Sequence, residues 1–205
     1  MMKISHVIYK ANDLNKSIEL YRDMGYNVEY GSKYNPHNAL IYFSDGPYIE
    51  LLEKSPVSFF QKLFLKLLGK RSIVKRFELW DDASEGFFEI CLETKATQFK
   101  KEETILRDNG KKYWITKSKR LDPYDRLLKW QLLFPFDKQI PFMMTYFSVD
   151  PKPTSDKHAN GVKKIKSIVY GTQSKYLPII NELCNDDILE LYIGSGIKEV
   201  LFLKD

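Results

Sequence analysis

At 205 residues, with 43% hydrophobic and 14% aromatic side chains, the chain has material for one domain, or for two fused halves, around a real core. The 32 basic residues exceed the 27 acidic ones by five, but both signs are dispersed. No arginine-rich or aromatic-interleaved basic tract is present, so nucleic acid is not an expected partner. No run approaches the ~20 apolar residues that span a bilayer, the opening Met1 to His6 lacks a signal-peptide core, and Cys91 and Cys184 have no CxxC or metal-type spacing. A cytoplasmic protein with reduced thiols is the expectation.

Residues 4–9 read as a strand. Asn12-Asp13 supplies a helix cap, Leu14, Ile18 and Tyr21 follow at helical spacing, and Gly25 ends the helix. Strands are expected at 26–30, 39–43 and 48–52, the last two joined by the turn Ser44-Asp45-Gly46-Pro47. The first module, 1–53, therefore spells βαβββ. An insertion, 54–84, follows. Ser55-Pro56 is a helix start, Gly69 a stop, and a second helix is expected over 72–80.

The βαβββ order then returns over 85–149. It comprises a strand at 87–92, a helix capped by Thr97 and closed by Gly110, and strands at 112–116, 127–134 and 142–148. Aligning Gly25 with Gly110 puts Cys91 at the position of His6, and Pro141-Phe142 mirrors Pro47-Tyr48. The remainder, 150–205, reads as a loop over 150–160 and then a shortened βαββ copy, with strands at 165–170, 188–193 and 199–203 and a helix at 175–184. Repetition at this scale is a stronger fold signal than the propensity of any one element. The fold class is α+β, built of repeated βαβββ modules with a helical insertion between the first two.

The pieces Ile4-Ser5-His6-Val7, Asp13-Leu14, Met24-Gly25-Tyr26, Asn38, Tyr48-Ile49-Glu50-Leu51-Leu52, Ile140-Pro141-Phe142 and His158-Ala159-Asn160-Gly161, in that order and spacing, resemble the vicinal-oxygen-chelate superfamily. More narrowly, they resemble its glyoxalase-like domains. The resemblance implies curved mixed sheets forming a cup, a small oxygenated molecule as ligand, and one divalent ion (zinc, nickel, iron or manganese). His6 and Glu50 would be ligands and Glu50 also the catalytic base. The second module departs from this pattern. It has Cys91 opposite His6 and Met144 or Thr145 opposite Glu50, which leaves open a metal-free cup. Lyase, isomerase or dioxygenase chemistry is one expectation and a metal-free binding protein the other.

Each residue also has an ordinary explanation. His6 on an apolar strand is equally a hydrogen-bonded core residue, and Glu50 among Tyr48, Ile49, Leu51 and Leu52 either faces solvent or has a partner. His37 and Asn38, and His158 and Asn160, sit at turns; the resemblance sets them, with Tyr48, at the border of the cavity as substrate contacts. Arg120, Arg126 and Trp130 are candidates for an anionic ligand and its apolar tail. Cys91 reads as core. For helix 56–68, packing as a lid over the cup or burial in a homodimer interface is favoured over contact with an anionic membrane.

Overall fold

A computed structural model describes residues 1–153 and 157–204, so the loop expected over 150–160 lies partly outside the described residues. Strand β1 (Lys3–Lys10) leads to helix α1 (Leu14–Asp23), whose N-cap Asp13 accepts a hydrogen bond from the Lys16 amide. Leu14, Ile18 and Tyr21 form its buried stripe. Gly25 follows with φ +84°, and a Cβ there would also sit 2.9 Å from the Asn160 amide nitrogen, so both backbone conformation and space require glycine. Strands β2 (Glu29–Tyr30), β3 (Asn38–Ile41) and β4 (Tyr48–Leu52) complete the first unit.

The second unit repeats the order as β5 (Gly86–Thr94), a later helix, then β6 (Tyr113–Leu121), β7 (Leu127–Pro135) and β8 (Phe142–Thr145). Its helix (Lys100–Asp108) starts at Phe99 without a side-chain cap. Thr97 is therefore not the cap; its carbonyl accepts from Gln131 Nε2 at 2.9 Å.

The units join through their first strands. β1 and β5 pair antiparallel with His6 opposite Cys91, giving one eight-stranded sheet in the order β2-β3-β4-β1-β5-β8-β7-β6. Each first strand also pairs in parallel with the last strand of its own unit, which sets Tyr48 beside His6 and Phe142 beside Cys91. The order is symmetric about the β1/β5 junction, and two residues further along Glu50 and Met144 occupy equivalent places. The third copy, β9 (Val162–Thr172), a helix at Leu177–Leu183, β10 (Leu189–Ile193) and β11 (Gly196–Lys204), forms its own sheet in the order β10-β9-β11. It extends neither half of the large sheet. Instead Ile165, Ile168 and Tyr170 join Val7, Ile90, Leu133 and the helix residues Ile18, Leu106 and Ile180 in one core on the outer face. The inner face carries a second, aromatic-rich core of Ile8, Leu52, Cys91, Phe134, Phe142 and Met144.

The insertion forms α2 (Phe59–Leu67) and α3 (Arg71–Asp81), numbered here before the Lys100–Asp108 helix (α4) and the Leu177–Leu183 helix (α5). α2 begins later than Ser55-Pro56 because Ser58 builds a reciprocal capping box with Gln61, whereas Ser55 binds the Asp81 carboxylate through both its amide and its hydroxyl. α3 turns Ile73, Phe77 and Trp80 into the inner core. Arg76, only 1% exposed, fixes it there: Nη1 lies 3.2 Å from Glu89, and Nη2 donates to the carbonyls of Pro135, Asp137 and Ile140. α2 buries none of its residues. Leu65 packs partly against the inner core, and Pro56, Val57 and Gln61 line the cavity, so the segment borders the cup. Phe59, Phe60, Leu63, Phe64, Leu67 and Leu68 point outward.

Candidate functional site

The inner face of the large sheet and α3 enclose a cavity of about 470 Å³. Strand alternation selects its lining. From the first unit come His6, Ile8, Leu40, Glu50 and Leu52; from β6 and β7 come Trp114, Thr116, Arg120, Trp130, Leu132 and Phe134. The walls are thus largely aromatic, with a few polar groups converging from the first unit, the usual composition of a small-molecule site.

The polar floor centres on one pair. His6 Nε2 is 3.2 Å from Glu50 Oε2, and the imidazole stacks on Tyr48 at 4.7 Å, with Phe142 edge-on at 5.8 Å. Asn38 Nδ2 donates to the other Glu50 oxygen at 2.6 Å. Burial pushes the Glu50 carboxyl up, but the contacts with His6 and Asn38 outweigh it and hold the group down at about 2. The side chain is 16% exposed, so an ionised carboxylate with both oxygens engaged faces an otherwise apolar space.

Sequence patterning singles out neither residue behind this pair. The β1–β5 register slips between Ile4 and His6, leaving Ser5 as an unpaired bulge residue beside the imidazole. Ser5 Oγ is 3.2 Å from His6 Nδ1, donates to Glu93 Oε2 at 3.0 Å, and lies 3.3 Å from Met144 Sδ. Burial raises the Glu93 carboxyl, against the opposing effects of Ser5, His6 and two lysines. A period-two pattern cannot foresee a bulge, so the chain Glu50–His6–Ser5–Glu93 is a product of the folded register.

Arg120 supplies the opposing charge. Its Nη1 donates to the Gly31 carbonyl, and its guanidinium carbon lies 6.0 Å from the centre of the Trp130 ring and 5.6 Å from that of Phe147. The Tyr42 hydroxyl is buried beside it; that burial raises its pKa, and the interaction with Arg120 opposes the rise. His37 lines the same cavity, and burial above all, with Arg120 adding and Glu50 opposing, lowers its pKa.

The remaining candidates lie elsewhere. His158 accepts from the Asn27 amide at 3.0 Å and packs edge-on against Tyr26 and Phe43; Asn160 donates to the Met24 carbonyl and accepts from the Val162 amide. Both tie the start of β9 to the end of α1, and neither lines the cavity. Arg126 is spent on Asp122, at 2.7 Å, and on the carbonyls of Asp150 and Pro151. A shallower groove of about 1000 Å³ runs past Lys95, Lys117, Lys119 and Lys129, and its lining contains no acidic residue or histidine.

The donor set does not fit a divalent metal held by both units. The symmetry partners of His6 and Glu50 are Cys91, whose thiol is buried and pushed well up by that burial, and Met144, whose thioether already meets Ser5. Among the described residues no cluster of three or more His, Cys, Asp or Glu side chains could hold an ion.

Comparison with known proteins agrees with this architecture. A sequence profile described as a glyoxalase-like domain matches residues 4–178. A hypothetical protein from Staphylococcus aureus superposes with a TM-score of 0.63 at 20% identity, over 97% of this chain and 88% of that one. A xylose isomerase-like TIM barrel/4-hydroxyphenylpyruvate dioxygenase fusion protein gives 0.47 at 10% identity, over 98% of this chain and 36% of that one. A hypothetical protein from Bacillus halodurans C-125 gives 0.39 at 14% identity, over 75% and 99%. A search of curated proteins finds no match.

Proposed function

Because this chain belongs to the glyoxalase-like domain family, we propose that its cup binds a small oxygenated molecule with an apolar body and an anionic end, and does so without a metal ion. The observation that carries this reading is the pairing of a fully engaged His6–Glu50–Asn38 cluster with an unmatched Arg120 across an aromatic cavity. Arg120 lines the cup and makes no ion pair among the described residues, so a carboxylate or similar anion there would balance its charge. Trp114, Trp130, Phe134 and Phe142 would hold the apolar body. Asn38, His37 and Tyr48 would then be ligand contacts, with Tyr48 also stacked on the imidazole.

A ligand-observed NMR screen of aromatic and aliphatic hydroxy and keto acids, run with chelator present, tests this reading. Hits should lose affinity in Arg120→Met and again in His6→Ala. The absence of any hit in this class, or hits indifferent to both substitutions, would overturn it. A second reading adds chemistry to the same cup. Glu50 would take a proton from carbon next to a ligand carbonyl once the ligand displaces the contacts with His6 and Asn38 that hold it at about 2 and keep it a weak base. Exchange of such ligand protons with heavy water, lost in Glu50→Gln, is the expected sign.

A further inference from the structure

Helix α2 is docked inside out. An amphipathic helix normally buries its apolar stripe and shows its charges to water. Here the charges face the protein: Lys62 pairs with Asp81, and Lys66 lies 2.8 Å from Glu78, both acids on α3. Except for Leu65, which packs partly against the inner core, the apolar side chains of α2 face away. Phe59, Phe60 and Leu67 are each at least 75% exposed, and Leu63, Phe64 and Leu68 join them in one outward stripe. Contiguous exposed apolar patches of several hundred Å² mark a surface meant to be covered.

The charge around the stripe says what covers it. Lys70, Arg71 and Lys75 follow directly, and none has an acidic partner among the described residues; Lys70 is set over the Phe136 ring at 5.5 Å. Lys70 and Arg71 also stand at the N-terminus of α3, where the helix dipole disfavours positive charge. The acids within reach, Asp81 and Glu78, are already used by α2. A second copy of this face would bring another basic rim of Lys70, Arg71 and Lys75, against which α3 offers Asp82 as an exposed acid without an ion pair among the described residues. A negatively charged lipid surface supplies both missing partners, acyl chains for the Phe and Leu stripe and headgroups for the cations.

We infer that α2 is a membrane-surface docking helix that lies in the interface of an anionic bilayer. No helix of the described residues is long and apolar enough to cross a membrane, so the contact is peripheral. Pro56, Val57 and Gln61, at the start of this segment, line the cup, so α2 lies next to the cavity. The inference stands apart from the ligand reading: vesicle binding is measured without any cup ligand, and either can fail alone.

The test is flotation of the whole chain with phosphatidylcholine vesicles, with and without phosphatidylglycerol, alongside light scattering of the free protein. Binding is expected only with the anionic lipid, weakening as salt rises. Phe60→Ser with Phe64→Ser should abolish it while the thermal midpoint holds, since both side chains are exposed in the fold. Arg71→Gln with Lys75→Gln should weaken it by roughly ten-fold or more. Equal binding to neutral vesicles, no binding by a monomer, or a dimer that Phe60→Ser dissociates and that ignores vesicles would each overturn the inference.

Discussion

His6 Nε2 and Glu50 Oε2 meet at 3.2 Å because the parallel β1–β4 ladder puts His6 beside Tyr48, with Glu50 two residues further along the same face. A pairing of first and last strands thus turns two residues far apart in sequence into one hydrogen-bonded unit. Asn38 on β3 completes it from the neighbouring strand.

The pH dependence of stability follows from that unit. Glu50 is held at about 2, below its ordinary value of 4.5. A depressed carboxyl stabilises the fold fully above the unfolded value, and the contribution is lost as pH falls from there towards 2. Denaturant titrations of wild type and Glu50→Gln should show a gap that closes as the solution is acidified. A gap of constant size would contradict the assignment.

Arg76 is predicted to be the most sensitive position of the insertion. Arg76→Met removes the cation that opposes the burial-raised carboxyl of Glu89, and takes a donor from the carbonyls of Pro135, Asp137 and Ile140. Breaking a buried pair from one side costs about 3–5 kcal/mol. Adding Glu89→Gln should recover part of that loss in urea melts. A single substitution within 1 kcal/mol of wild type, on the order of a surface change, would contradict the role.

His158 and Arg120 should separate cleanly. His158→Ala removes the acceptor for the Asn27 amide and a ring between Tyr26 and Phe43, and should lower stability by about 1–3 kcal/mol while leaving cup ligands bound normally. Arg120→Met should do the reverse. Parallel melting and ligand titrations check both, and a ligand defect in His158→Ala would reopen that residue as a contact.

Gly25→Ala should destabilise the fold by more than a helix-propensity change, because the new Cβ meets backbone at Asn160 and the residue is held at φ +84°. Thermal melts should show a loss of about 1–3 kcal/mol. A neutral result would mean that the Asn160 turn yields freely.

Much of this was legible in the sequence. The repeat of cap, helix, glycine and strands foretold two equivalent units, and the register confirms Tyr48 with Phe142 and His6 with Cys91 as equivalents. Arg120 lies beyond the strand expected at 112–116; β6 runs on to Leu121, and the pairing of Ser118 with Trp130 brings Arg120 and Trp130 to one face. What was illegible arose from tertiary pairing. The bulge that brings in Ser5 and Glu93 depends on how β1 meets β5. His158 and Asn160 read as an ordinary turn from their residue types, and only the family resemblance set them at the cavity; in the fold they tie the start of β9 to the end of α1. The outward face of α2 was hidden because periodicity reveals a stripe without saying where it points.

Metal content under loading tests the central claim most directly. The wild-type protein, incubated with zinc, nickel, iron or manganese, desalted and measured by elemental analysis beside Glu50→Gln, should retain well under one equivalent of each metal, with no difference between the two proteins. One equivalent held by wild type and lost in Glu50→Gln would mean that His6 and Glu50 are metal ligands, and the metal-free cup would be wrong.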